Sequence, residues 1–308
     1  MSLIFIGDLH LKDKEPFLSS AKKFFNWLDE KFPQDNLFFL GDTTDSSSPH
    51  WTIFSLFSNF LVNRKTETYI LGGNHDYSKL KGSVLDGLKH IESVEIILDR
   101  KVIKYCDSDI LCLPFKYGKM KEEYERLIGE YSFIATHTTP RHLAFSDEGI
   151  DYKNLKGTFI HGHTHVTDKS SYQDNNNLHI TIEVPFPTRN GEQKEFHRII
   201  ILNNDGTYRY EKVPFYFTYE TIEFGKFPES KNNILNIINA PDSNSVFEMY
   251  KDYYIREDGI ELKRTEIDGT EQFVFNIATI KDQFNNYCLE NGISKEVLKC
   301  GLKYLETF

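Results

Sequence analysis

Leu71-Gly72-Gly73-Asn74-His75-Asp76 closes a short apolar run that begins at Thr68 and reads as a buried strand. The two glycines let the backbone turn sharply and approach another group closely. An amide, an imidazole and a carboxylate then stand in consecutive positions. An amide oxygen can ligate a hard cation, and a neighbouring imidazole can move a proton. Alone, such a stretch is only a turn. Its weight comes from four other strands that end in the same way.

Upstream, Leu3 to Gly7 reads as a buried strand ending in Asp8-Leu9-His10. Phe17 to Phe32 predicts an amphipathic helix, with Ala21, Phe24, Phe25, Leu28 and Phe32 on one face and Lys22, Lys23, Asp29 and Glu30 on the other. Asn36 to Leu40 predicts a strand ending in Gly41-Asp42-Thr43-Thr44-Asp45, and Trp51 to Asn63 a second helix opened by Pro49. Downstream, Asp86 to Ile91 predicts a helix. Val94 to Leu98, Val102 to Tyr105 and Ile110 to Leu113 predict strands, and Tyr117 to Glu130 a charged helix. Tyr131 to Ala135 leads into Thr136-His137, and Thr158 to Ile160 into His161-Gly162-His163-Thr164-His165. Antiparallel strands follow at His179 to Val184, Phe196 to Leu202 and Tyr208 to Val213, the last two joined by the turn Asn203-Asn204-Asp205-Gly206.

The βαβα order of the first half predicts an α/β domain of sheets flanked by helices. Near Phe224 the composition shifts toward Asn, Ser and Asp, so a boundary is expected at Gly225. This divides the chain into a domain over 1–224 and a small α+β cap over 225–308. In the cap, a helical segment is expected near Lys231 to Ile238, a strand near Gly259 to Arg264, and helices near Ile277 to Asn291 and Ser294 to Glu306.

The chain has 308 residues, 39% of them hydrophobic, which suffices for a sizeable core made aromatic by 25 Phe and 17 Tyr. No apolar run is long enough to predict a membrane span. The first residues lack the basic region and small-residue cleavage site of a signal peptide. Cys106, Cys112, Cys288 and Cys300 form no Cys-x-x-Cys pair, which points to free thiols in a reducing cytoplasm rather than to a zinc knuckle or redox motif. The net charge of −10 argues mildly against nucleic acid as a partner. A carboxylate cluster that holds metal ions, however, lowers the formal charge without repelling a substrate.

The strand ends carry Asp8 and His10, Asp42, Asn74 and His75, His137, and His163 and His165. In open α/β sheets, ligand sites lie at the carboxyl ends of the strands. Each piece has a bland reading: Asp8 or Asp42 as a loop cap, His137 as a hydrogen-bonded structural histidine. Setting His75 aside, the set holds two carboxylates, an amide and four imidazoles, a mixture suited to manganese, iron or zinc. Seven ligands exceed what one catalytic ion with open positions needs. They suit two ions with a carboxylate between them.

In this order, Asp-x-His, Gly-Asp-x-x-Asp, Gly-Asn-His-Asp, a separate His and Gly-His-x-His resemble the signature of calcineurin-like metallophosphoesterases, across Asp8 to His165. The resemblance implies a two-sheet sandwich flanked by helices (α/β/β/α). It implies two divalent ions, Mn2+ foremost, one held by Asp8, His10, Asp42 and His165, the other by Asp42, Asn74, His137 and His163. His75 becomes the catalytic imidazole and Asp76 its orienting partner.

Protein phosphatases of this superfamily continue Gly-Asp-x-x-Asp with Arg-Gly, whereas here Ser46-Ser47 follow Asp45, which favours diesters. Gly41 to Pro49, the opening Asp8-Leu9-His10-Leu11, and Glu211 to Phe224 are similar to SbcD-type DNA repair nucleases and to nuclease subunits of phage recombination exonucleases. That likeness implies DNA as substrate and an SbcC-type coiled-coil ATPase as partner, with a homodimer as a further option. Ile277 to Phe308 could dock the ATPase or only close the cap. Lys79, Lys81, Lys89, Lys116, Lys119, Lys121 and Arg141 could touch phosphates or only be solvated. The rival readings are a small-molecule or nucleotide phosphodiesterase with the same centre, and a non-catalytic scaffold, which the complete set of histidines disfavours.

Overall fold

The computed structural model describes residues 1–78, 82–118, 120–144, 149–165, 171–174, 177–182, 185, 197–214, 217, 219–228, 230–231 and 233–262. In chain order the elements are β1 (Leu3–Ile6), α1 (Phe17–Lys31), β2 (Asn36–Phe39), α2 (Trp51–Asn63) and β3 (Thr68–Leu71). A small hairpin of β4 (Tyr77–Ser78) and β5 (Gly82–Ser83), a 3-10 turn (Val84–Leu88), β6 (Val94–Ile97), β7 (Lys101–Tyr105) and β8 (Ser108–Leu113) come next. Then follow α3 (Met120–Glu125), β9 (Gly129–Thr136), β10 (Leu155–His161), β11 (Ser171–Gln173), β12 (Asn177–Thr181), β13 (Arg198–Leu202) and β14 (Tyr208–Lys212). The described chain ends with β15 (Tyr219–Glu223), β16 (Ile234–Ala240), α4 (Ser243–Met249) and β17 (Tyr254–Leu262).

Among the described residues, two six-stranded sheets carry the fold, ordered β14-β13-β1-β2-β3-β6 and β11-β12-β10-β9-β8-β7. β1, β2, β3 and β6 run parallel, as do β8, β9, β10 and β12. Parallel strands covered on both faces carry near-continuous apolar runs, and β1, β2 and β3 are buried at every position. Alternation along each strand divides these runs between two cores. Ile4, Ile6, Leu37, Phe39 and Ile70 pack with the apolar faces of α1 and α2. Leu3, Phe5, Phe38, Leu40 and Leu71 pack with Ile110, Cys112, Phe133, Ala135 and Ile160 of the second sheet. Leu111, Leu113, Ile134 and Phe159 turn the other way, onto Tyr124 of α3 and Tyr152. The layers are therefore helix, sheet, sheet and helix, the α/β/β/α sandwich expected.

Aromatic packing joins the two outer helices. Phe25 of α1 stacks on Phe60 of α2 with ring centroids 4.4 Å apart. Burying rings of this size contributes about 1.5–3 kcal/mol each. This layer holds the first sheet so that its parallel strands all end on one rim.

The chain after β14 departs from expectation. β15, β16 and β17 form a third, all-parallel sheet, so the boundary expected at Gly225 falls within a sheet, in the turn between two of its strands. The first of two compact units runs from Met1 to Lys263. Phe217 and Ile234 join the core under α1, with Tyr219 and Tyr254 against it, and Phe217 meets Phe17 edge-on at 5.0 Å. The segment expected as a helix near Lys231 to Ile238 is instead β16, Ile-Leu-Asn-Ile-Ile-Asn-Ala. Its isoleucines sit at helical spacing, yet β-branched side chains fit a pleated surface better, and parallel neighbours on both sides satisfy the backbone. The charged helix expected over Tyr117 to Glu130 shortens to α3 because β9 already begins at Gly129. The helices expected near Ile277 to Asn291 and Ser294 to Glu306 lie outside the described residues.

Candidate metal centre

Parallel strands of both sheets end at the site. Asp8 follows β1, Asp42 follows β2, Asn74 follows β3, His137 follows β9 and His163 follows β10. The loops bend at the functional side chains themselves. His10, Asp42, His163 and His165 all adopt left-handed backbone, with φ of 43°, 45°, 77° and 46°. Each such non-glycine residue costs about 1–3 kcal/mol and persists only where its surroundings over-determine it. Glycines make room for the crowding. A Cβ on Gly162 would lie 2.7 Å from Asp8 Oδ1 and 2.8 Å from the Leu40 carbonyl. A Cβ on Gly73 would collide with both the backbone nitrogen and the carboxylate of Asp42. Gly73→Ala is therefore expected to lower metal affinity by about 10–100-fold, the range for displaced supporting contacts, with no ligand removed. Metal content after dialysis at graded free-metal concentrations measures it, and a wild-type titration curve would show that the loop yields.

Among the described residues the candidate donors gather into three groups. Asp8, His10 and His165 form the first, and Asp42, His137 and His163 the second; a third, His10, Asp45 and His75, shares His10 with the first. In the first, His165 Nε2 is 3.0 Å from Asp8 Oδ2 and 3.1 Å from His10 Nε2. In the second, His137 Nε2 is 3.2 Å from Asp42 Oδ2 and 3.2 Å from Asn74 Oδ1. Asp42 Oδ2 also lies 3.6 Å from His10 Nε2. One carboxylate oxygen thus stands between these two groups.

Outer contacts fix which ring nitrogen faces inward. His137 Nδ1 donates to the Leu40 carbonyl at 2.6 Å, leaving Nε2 for the centre. His10 Nδ1 faces Asp45 Oδ1 at 3.2 Å, again leaving Nε2 inward. A hydrogen bond at the outer nitrogen, as at His137, orients histidines that ligate metals. Asp8 Oδ2 accepts from the His163 backbone N–H at 2.8 Å, which ties the two rims together.

The electrostatics call for a cation. Burial pushes the His137 imidazole down, but the Asp42 and Asp8 carboxylates outweigh it and hold it up at about 10, so positive charge is favoured there and a metal ion would take the place of the proton. Burial raises Asp42, and His137 more than reverses that, so Asp42 stays well below the usual carboxylate range. Burial and then His137 hold His163 down at about 4, keeping its ring neutral and able to ligate. Asp8 Oδ1 is buried without a hydrogen-bond partner, and Nε2 of His10 and of His165 face each other. Buried acceptors in this state fit a divalent ion in each of the first two groups.

His75 and Asp76 occupy different places from those expected of a catalytic pair. The His75 ring is partly exposed and edges onto His10 at 4.7 Å, and its Nδ1 donates to the Asp45 carbonyl at 2.8 Å. Its backbone N–H donates to Asp42 Oδ1 at 2.8 Å. Asp76 is fully buried, and its carboxylate accepts from the backbone N–H groups of Gly73, Thr43 and Thr44. The orientation expected of Asp76 is thus supplied by Asp45, while Asp76 pins the Asp42 loop to the Gly73 turn. Burial, with the charge of Asp42 beside it, pushes Asp76 up to about 7.

Asp45 is the residue whose part the sequence left unstated. Its carboxylate faces His10 and its carbonyl orients His75. Its place in Gly-Asp-x-x-Asp was the available signal. His161 belongs to none of these groups: it is fully buried, with Nε2 3.0 Å from His179 Nδ1. Of the cations suggested for phosphates, Lys89, Lys116 and Lys121 stand in ion pairs with acidic neighbours. Lys79, Lys81 and Lys119 lie outside the described residues.

A calcineurin-like phosphoesterase family model matches residues 1–183, more than half of the chain. The chain belongs to the calcineurin-like phosphoesterase family. The matched span of this calcineurin-like phosphoesterase contains every candidate donor from Asp8 to His165, and the family's use of divalent metals agrees with the candidate clusters. Among solved structures, an archaeal phosphodiesterase is 15% identical, covering 68% of this chain and 99% of its own at a TM-score of 0.40. Comparison with curated proteins gives no match. Among the described residues of this phosphoesterase, no helix is long and apolar enough to cross a membrane.

Proposed function

We propose that this phosphoesterase is a two-metal nuclease that hydrolyses DNA phosphodiester bonds, working as the nuclease subunit of a complex with an SbcC-type coiled-coil ATPase. The observation that carries the two-metal reading is the position of Asp42 Oδ2, 3.2 Å from one cluster's His137 and 3.6 Å from the other's His10. Asp8, His10, Asp42 and His165 would hold one ion, and Asp42, Asn74, His137 and His163 the other. Bound there, divalent ions supply an activated water and neutralise charge on the phosphorus oxygens. Asp42 and Asp8 hold the histidines in place, and Asp45 aims His75 at the substrate side. From there His75 either protonates the leaving oxygen or stabilises the charged transition state. Ser46-Ser47, standing where protein phosphatases of the superfamily carry Arg-Gly, supports a diester substrate.

Hydrolysis of linear duplex DNA, set against a cyclic nucleotide, tests the reading. Turnover of the cyclic nucleotide alone would replace it with the second reading, a small-molecule phosphodiesterase, which the net charge of −10 favours. Co-purification of a large coiled-coil ATPase from the native cell tests the partner.

Manganese is expected to support activity best. Four imidazoles among seven donors suit it, whereas magnesium prefers oxygen shells. Metal-stripped protein reconstituted with each ion decides the point, and full activity in magnesium would count against the assignment.

A further inference from the structure

Three aromatic rings lead away from the metal centre. Phe115 lies 6.5 Å, ring to ring, from His163. Tyr117 meets Phe115 edge-on at 5.0 Å, and Tyr77, directly after Asp76, meets Tyr117 edge-on at 6.4 Å. The loop from β8 to α3 that carries two of them is anchored. Phe115 N–H donates to the Gly72 carbonyl at 2.8 Å, which joins it to the Gly72-Gly73 turn of the centre. Lys116 pairs with Asp99 at 3.1 Å and with Glu123 at 3.4 Å. Tyr77 is fixed as well, its hydroxyl donating to the Leu98 carbonyl at 3.3 Å. Despite this anchoring, Tyr117 is 46% exposed. A ring half open to solvent, set edge-on between two aromatic neighbours that lead to the centre, is a stacking surface more than a core residue.

We infer that Phe115, Tyr117 and Tyr77 form a ledge that stacks a nucleobase of the substrate next to the phosphate bound at the metal centre. Every base has a π-face, so such a ledge binds nucleotides without choosing among them. Among the described residues beside the ledge, Lys116 is paired with two carboxylates, Asp99 and Glu123. The proposal rests on the phosphodiesterase reading of the centre and does not require that the natural substrate be DNA.

The test uses competition. Hydrolysis of bis(p-nitrophenyl) phosphate by the metal-loaded full chain is to be measured with thymidine 5′-monophosphate or deoxyribose 5-phosphate as competitor, which differ at C1′, base against hydroxyl. The wild type is expected to bind the nucleotide more tightly than the sugar phosphate, by about 5- to 150-fold. Tyr117→Ala and Phe115→Ala should collapse that ratio toward one, and Tyr117→Phe should restore it. Equal inhibition constants in the wild type, or a ratio untouched by both alanine variants, would overturn the ledge. Failure to cut DNA while the ratio persists would sink the nuclease reading alone. Failure to hydrolyse the diester with either metal would sink the phosphodiesterase reading, and the ledge with it.

Discussion

Asp42→Ala is expected to leave at most one bound metal ion per chain and to abolish measurable phosphodiester hydrolysis. The side chain does two things at once. Its Oδ2 stands between the clusters, 3.2 Å from His137 Nε2 and 3.6 Å from His10 Nε2, while its Oδ1 holds the His75 backbone N–H at 2.8 Å. Loss of an outer contact to a metal ligand costs about 10–100-fold in affinity, and removing a donor shared by both clusters should exceed that. Asp42→Asn separates the two roles, because its amide oxygen can still accept from His75 but carries no charge to balance two cations. Both variants are therefore expected to lose metal, with the backbone around His75 better kept in the asparagine form. Two ions per chain in Asp42→Ala, measured by elemental analysis after gel filtration, would refute the shared position.

His75→Ala should instead keep both ions and bind DNA, yet cleave it slower by about 10²–10⁴-fold, the usual contribution of a positioned general acid. The Asp45 carbonyl can only accept, so Nδ1 of His75 carries a proton and Nε2 is the nitrogen left for the substrate. If Nε2–H of the protonated ring serves the departing deoxyribose oxygen, its loss matters most where the leaving group is poor. An aryl phosphodiester, whose phenolate departs unaided, should lose much less. Equal losses on both substrates would exclude leaving-group protonation and assign His75 to charge stabilisation or positioning.

Much of this was legible along the chain because it depends on local pattern. The apolar runs of β1, β2 and β3 announced strands buried on both faces, and the phase of Phe24, Phe25 and Leu28 announced a helix with one apolar face. A parallel sheet places the ends of such strands at one rim, so the residues after them could be grouped before any distance was known. The seven donors and His75 follow from that rule together with the order of the motifs.

What the sequence by itself determined, then, was the class of fold and the set of strand-end residues that are candidates for metal donors. Tertiary structure alone decided which atoms face which. Asp76 reaches across 32 residues to Thr44, and Asp45 across 30 to His75; their neighbours in sequence say nothing of either contact. The third sheet was hidden because Ile234, Ile237 and Ile238 fit a helical period as well as a strand, and only the parallel neighbours β15 and β17 settle the choice. Local spacing records the direction of a side chain within its own element. The group that meets it comes from another element, and sheet packing brings the two together.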